Sequence, residues 1–235
     1  MDKSAENNKS IKNRKRFAKV LNISIIVIAV LLLALEGVLY YQRSYLTPFW
    51  VNGQSMYPTL NAHAKDALGH EIGSTGGGAS PGYTVDYGVM DTHKGAINKI
   101  KRFDIIVTRY SKNDTNNKIK RVLALPGETI EFKVTGYGNE NNGDLYINGK
   151  YIEQPIDSEF VKNANYPVAA TTLGDNEYFV CGDNRDHSSD SRAEGPVKKE
   201  WITGKVIALC GTATVYQDGA YYDIKDIKYT WPRYL

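Results

Sequence analysis

Thr129-Ile130-Glu131-Phe132-Lys133-Val134 alternates apolar and polar side chains with period two, and Leu145-Tyr146-Ile147-Asn148-Gly149-Lys150-Tyr151-Ile152 sets an Asn-Gly pair between two short apolar runs. The first pattern is that of a half-buried strand, the second that of a hairpin closed by its favoured two-residue turn. The same grammar recurs on either side. Phe103-Asp104-Ile105-Ile106-Val107-Thr108 is short and β-branched, and Lys118 to Leu125 reads as a strand stopped by Pro126-Gly127. Glu177 to Cys181, Trp201 to Leu209, Thr212 to Tyr216 and Tyr221 to Ile224 read as further strands. Short strands with turn residues at this spacing predict a mainly β domain over residues 42–235, an antiparallel barrel or packed sheet, with 133–174 as a small β insertion.

The N-terminal part follows a different rule. Val20 to Tyr41 is almost wholly apolar, and Ile25 to Leu35 carries no charge. A helix of that length crosses a hydrocarbon layer of about 30 Å. Glu36 falls in the outer third, near enough to the interface to be hydrated. Lys9, Lys12, Arg14, Lys15, Arg16 and Lys19 precede the run, so residues 1–19 read as a basic cytoplasmic tail, 20–41 as a transmembrane helix, and the rest as extracytoplasmic. A cleaved secretory signal is the rival reading, but Ala34-Leu35-Glu36 ends wrongly for a small-x-small cleavage site. Tyr40, Tyr41, Tyr45, Phe49 and Trp50 resemble an interfacial aromatic belt. The expectation is a single-pass protein of the cell membrane, with the lipid bilayer as one partner.

The remaining composition mostly excludes. A net charge of +3, gathered near the N-terminus, argues against nucleic acid as a partner. His63, His70, His93 and His187 are scattered and no Cys pair has zinc spacing, so no metal is expected. Cys181 and Cys210 lie in apolar runs and read as buried free thiols rather than a disulfide. Gly73 to Gly82, within a long stretch from Asn61 to Lys99, reads as a mobile Gly/Ser-rich loop; no Gly-Lys-Ser/Thr follows to make it a phosphate cradle.

Three stretches carry the chemistry. Gly53 precedes Ser55-Met56-Tyr57-Pro58-Thr59-Leu60; Lys120-Arg121 runs into Leu125-Pro126-Gly127-Glu128; and Gly182-Asp183-Asn184-Arg185-Asp186-His187-Ser188-Ser189-Asp190-Ser191-Arg192 comes last. In that order they resemble the signature of the type I signal peptidases, membrane-bound Ser/Lys proteases, in the single-anchor form of Gram-positive bacteria. The resemblance covers 50–60, 101–134 and 177–196 well and the rest loosely. It implies a serine endopeptidase, without cofactor, that cuts signal peptides from exported pre-proteins.

A serine hydroxyl attacks an amide only if a base takes its proton. The residues alone leave two bases open: His187 in a triad with an aspartate, or a lysine. The resemblance assigns Ser55 as nucleophile and Lys120 as base. A lysine must then be biased against its charged form by about 3–4 kcal/mol. Apolar burial supplies such a bias, and Lys120 is flanked by Ile119, Val122, Leu123, Ala124 and Leu125; period two puts Lys120, Val122 and Ala124 on one face. The resemblance further implies that Ser188 hydrogen-bonds the lysine, that Asp183 pairs with Arg121 and Asp190 with Arg192, and that Val51, Met56, Leu60 and Ile119 line shallow subsites for small residues. For Leu60, plain core packing is an equal reading. Gly53 departs from relatives whose serine there donates to the oxyanion, and Phe103 stands where glycine often precedes Asp-Ile. Two rivals remain. A self-cleaving repressor of the SOS type shares the Ser/Lys fold but needs a DNA-binding N-terminus in place of the apolar run. A non-catalytic, membrane-tethered binding module would leave Ser55 and Lys120 without a role.

Overall fold

An apolar run with no proline propagates as helix until something stops it. Here α1 (Lys3–Tyr45) runs without a break to the approach of Pro48. The computed structural model describes residues 3–74, 77–135, 142–156 and 169–235, divided into a unit over 1–46 and another over 47–235. From Phe17 to Leu39 the large apolar side chains of α1 are all exposed, Leu33 at 68%. A helix apolar on every side and covered by no protein suits a hydrocarbon surround. Lys12–Tyr45 is long and apolar enough to cross a membrane, and the helix overruns the expected 20–41 at both ends.

The second unit is mainly β. In chain order come β1 (Leu46–Trp50), β2 (Thr84–Asp91), a short α2 (Lys94–Ile97), β3 (Ile105–Thr108), β4 (Lys118–Ala124), β5 (Thr129–Thr135), β6 (Asn142–Ile147), β7 (Lys150–Tyr151), β8 (Thr171–Thr172), β9 (Glu177–Cys181), α3 (Ser191–Glu194), β10 (Val197–Lys198), β11 (Ile202–Asp218) and β12 (Tyr221–Tyr234). One curled sheet runs β1-β2-β11-β3-β4-β9-β10, with β12 also on β11; its order has two ends, so it is an open sheet and not a closed barrel. The ladders of β11 with β2, β3 and β12, and of β4 with β3 and β9, are antiparallel. A second sheet, β7-β6-β5-β8, holds the expected hairpin, with Asn148 and Gly149 both at positive φ as its turn type demands. Of the 133–174 insertion, 136–141 and 157–168 lie outside the described residues, as do Thr75 and Gly76 of the Gly-rich loop.

Four expectations are corrected here. β11 is one strand of 17 residues where two were expected. Cys210-Gly211 looks like a break between two strands, but Gly211 serves close approach: a Cβ there would run into the Lys228 carbonyl of β12. β12 continues to Tyr234, well past Ile224. No strand was expected between Asn61 and Lys99, yet the stretch contains β2, paired with β11 from Thr84 to Asp91. Its polar residues Asp86 and Asp91 broke the apolar pattern that marks a strand. Phe49 and Trp50 do not form an aromatic belt; Phe49 packs on the cluster of Val51, Met56, Leu60 and Met90, and Trp50 on Val85 and Val215. Both cysteines are free, Cys181 buried as expected and Cys210 only partly so.

Candidate active site

Three elements converge on one point. The nucleophile loop leaves β1 at Val51, whose N–H donates to the Asp86 carbonyl of β2, and reaches Ser55 four residues later. Lys120 stands on β4 opposite Ile106 of β3. Its amine lies 2.9 Å from Ser55 Oγ and donates to the Ile119 carbonyl at 3.0 Å. Lys120 is 3% exposed, and burial brings its pKa down to about 8. The charge of Lys118 acts in the same direction, while Asp190, Cys181 and Asp183 oppose it. The expected single apolar face of β4 is not what buries the amine. From Lys120 to Ala124 every residue is buried, on both faces, with a register shift against β9 between Val122 and Ala124.

Arg121, next in the strand, turns the other way into a bidentate pair with Asp183: Nε to Oδ1 at 2.8 Å and Nη2 to Oδ2 at 2.6 Å. Asp183 is fully buried. The remaining guanidinium donors reach the Phe103 carbonyl and Thr59 Oγ1, and the Thr59 hydroxyl donates to Asp183 Oδ2. One ion pair therefore ties together β4, the nucleophile loop and the turn after β9. Phe103 has φ 71, so the position where glycine is usual does adopt the left-handed backbone, and phenylalanine takes it at a steric cost of about 1–2 kcal/mol.

Asp190 and Arg192 form a second bidentate pair, at 2.8 and 2.9 Å. Burial opposes the Asp190 charge, but the hydrogen bonds and charge of Arg192 and the Gly182 N–H outweigh it, holding the carboxyl below its ordinary range. Arg192 also donates to the Arg185 and Ser188 carbonyls, clamping the turn between β9 and α3.

Ser188 departs from expectation. Its hydroxyl is buried and makes no well-formed hydrogen bond to any group, Lys120 included, although it lies close enough to Asp190 to favour that carboxylate. It faces Gly182, where a Cβ would collide with both Ser188 Oγ and the Ser55 carbonyl. Gly182 is thus the reason that this turn can press against the nucleophile loop. Ser189 Oγ points away, to Glu194 at 2.9 Å. His187 is exposed and Ser55 has Lys120 as its partner, so the triad geometry does not form.

A cleft of about 620 Å³ opens over Ser55 and Lys120, walled by Trp50, Val51, Met90, Val107 and Ile119. Of the four residues expected to line subsites, Val51 and Ile119 wall this cleft, whereas Met56 and Leu60 have no exposed surface and pack in the cluster behind it. A larger cleft, about 740 Å³ beside α2 and β10, contains neither Ser55 nor Lys120. Among residues without an assigned role in the sequence reading, Asn184 donates to the Gln54 carbonyl from its side chain and to the Ser55 carbonyl from its backbone. Arg185 reaches Gln154 beyond β7 and stacks over Phe132 of β5, joining the small sheet to the same turn. Both residues lay in the quoted run, but only contacts across the fold give them work.

Residues 20–210 match the family model described as "Signal peptidase, peptidase S26". Signal peptidase I S of Bacillus subtilis is 32% identical over 76% of this chain and 82% of its own length. Signal peptidase I U of the same organism is 30% identical over 78% and 81%, and signal peptidase IB of Staphylococcus aureus 28% over 68% and 75%. A crystal structure of a signal peptidase I from Enterococcus faecalis aligns at 34% identity over 46% of this chain and 96% of that one, with a TM-score of 0.34.

Proposed function

The chain belongs to the signal peptidase family, peptidase S26, a family of serine endopeptidases, and on that premise we propose that it cleaves the signal peptides of exported pre-proteins with Ser55 as nucleophile and Lys120 as general base. The observation that carries the proposal is the 2.9 Å approach of Ser55 Oγ to a buried lysine whose pKa lies at about 8. Lys120 in its neutral form accepts the Ser55 proton as Oγ bonds to the scissile carbonyl carbon, and the carbonyl electron pair moves onto its oxygen. Collapse of that oxyanion breaks the C–N bond, and Lys120 returns the proton to the leaving amine of the mature protein. Water, deprotonated by the same amine, then frees the signal peptide from Ser55. The walls of Val51 and Ile119 suit small side chains beside the cut.

The ionisation sets a pH profile. The active form is the neutral amine, so kcat/KM should rise about tenfold per pH unit below about 8 and level off above it. An inflection near 6.5, the ordinary histidine value, would argue for an imidazole base instead.

Ser188 retains a role in this proposal despite its missing bond. The hydroxyl is poised to hold the Lys120 amine once Ser55 is acylated and no longer occupies it. Ser188→Ala should lower kcat by about 10–1000-fold with KM nearly unchanged. Parental turnover in Ser188→Ala would remove that role; Ser189→Ala should be close to parental.

We read α1 as a membrane anchor, and the basic residues that precede its apolar run support a cytoplasmic N-terminus with the catalytic unit outside the cell. Protease added to intact cells should cut within 73–82 and spare 9–19, and the protein should pellet with membranes in high salt. A mature N-terminus near Leu35 would instead mark α1 as a cleaved signal.

A further inference from the structure

Gly53 offers no side chain to an oxyanion, yet the backbone around it is pinned with unusual completeness. The Val51 and Gly53 carbonyls accept from the Asn61 side-chain amide at 2.9 and 3.2 Å. The Asn52 carbonyl accepts from the Ala79 N–H, the Gln54 carbonyl from Asn184 Nδ2 and the Tyr57 N–H, and the Ser55 carbonyl from the Asn184 N–H. Every carbonyl from Val51 to Ser55 is thus taken. The N–H groups of Gln54 and Ser55 donate to no acceptor among the described residues. In a trans peptide the N–H points opposite to the carbonyl of the same unit. Holding the Gly53 carbonyl on Asn61 turns the Gln54 N–H away from Asn61, and holding the Gln54 carbonyl on Asn184 does the same for the Ser55 N–H. Gly53 and Ser55 line the cleft, and neither asparagine does.

Asn61 is built for this task. It has φ 58, a left-handed backbone that asparagine tolerates, and is 1% exposed. Its own N–H donates to Asp86 Oδ2 at 2.7 Å, and the Asp86 N–H returns a bond to Asn61 Oδ1 at 2.8 Å. The Asp86 carbonyl meanwhile receives the Val51 N–H. A single residue of β2 therefore anchors both ends of the nucleophile loop, and the Asn61 amide spans the space between them.

We propose that Asn61, fixed by Asp86, is a positioning residue for the oxyanion: its amide sets the peptide planes of the nucleophile loop so that backbone N–H groups face the developing negative charge. This rests on Ser55 being the nucleophile. Such dipoles act on the transition state far more than on the bound substrate, so the effect belongs in kcat.

The test is an isosteric exchange in the full chain, in detergent micelles with a pre-protein substrate. Asn61→Asp combined with Asp86→Asn preserves size, net charge and both reciprocal bonds, and replaces the N–H donors to the Val51 and Gly53 carbonyls with a carboxylate oxygen that repels both. We expect kcat to fall about 10–100-fold with KM within about threefold. Should the exchange fail to fold, Asn61→Gly keeps the left-handed backbone and removes the same donors, with the same result expected. Parental kcat in the folded variant, or a loss confined to KM, overturns the proposal. Ser55→Ala, assayed alongside, separates the two readings: if it retains activity the nucleophile is wrong, and if it is inactive while the exchange is parental only the role of Asn61 is wrong.

Discussion

Lys120→Ala should reduce kcat by at least about 1000-fold, and Lys120→Arg should do no better. Arginine keeps the charge and the reach but has no accessible neutral form, so it cannot accept the Ser55 proton. Ser55→Ala should be equally inactive. Because the two groups act as a unit, the double variant should be scarcely worse than either single one. The same substitution has a signature in stability. A folded pKa of about 8 against an ordinary value of 10.5 means that between those values the unfolded chain binds a proton that the folded chain does not. Stability therefore rises with pH across that window, and the charged lysine burdens the fold by about 3 kcal/mol below it. Lys120→Met, which fills the same space without a charge, should be inactive but more stable than the parent at pH 7. Calorimetry of the full chain at pH 7 and pH 10 would check both the size and the sign; equal stability at pH 7 would mean that the amine is not buried as described.

Asp183→Ala should be the most destabilising single change near the site. It leaves the guanidinium of Arg121, 8% exposed, without its counter-charge and removes an acceptor from Thr59. Breaking one side of such a pair costs about 3–5 kcal/mol. For a unit of this size that amounts to a melting temperature lower by about 10 °C. Replacing both partners with apolar residues, Arg121→Met with Asp183→Leu, should recover much of the stability, because no charge is then left buried alone. It should not recover cleavage. The pair also fixes the distance between the strand of Lys120, the loop of Ser55 through Thr59, and the turn carrying Gly182, and apolar contact does not specify that geometry to the accuracy proton transfer needs. Thermal melts and cleavage rates for the two variants would separate holding the fold together from holding the site in register. Full activity in the apolar pair would show that the packing of the three segments suffices.

How much of this could be read from the chain depends on the range of the interaction. The hairpin at Asn148-Gly149 and the helix over residues 20–41 follow from local rules, turn chemistry in one case and a nearly unbroken apolar run in the other, although α1 itself extends beyond that run at both ends. Both are legible without the fold, as were the ends of β5 and β9 to within a residue or two. β2 was hidden because Asp86 meets a partner 25 residues away and Asp91 accepts from the His93 N–H at the strand's end, and a pattern of alternation cannot see a carboxylate that is satisfied by Asn61. β11 was divided in two because Gly211 looks like punctuation until Lys228 is found against it.

The candidate site divides along the same line. The sequence by itself determined which residue types were available: a serine in a punctuated loop, a lysine within an apolar strand, and a charged turn with two Asp/Arg pairs. Only the tertiary structure decided that Lys120 loses its water and comes within 2.9 Å of Ser55, that Ser188 stands close without bonding, and that Met56 and Leu60 lie behind the cleft wall rather than in it. The physical reason is that desolvation and hydrogen-bond geometry are properties of surfaces brought together. No residue carries its dielectric environment in its own name. Lys120 and Lys118 differ by two positions in a strand, yet one is enclosed by β3, β9 and the nucleophile loop while the other remains half-exposed beside the cleft.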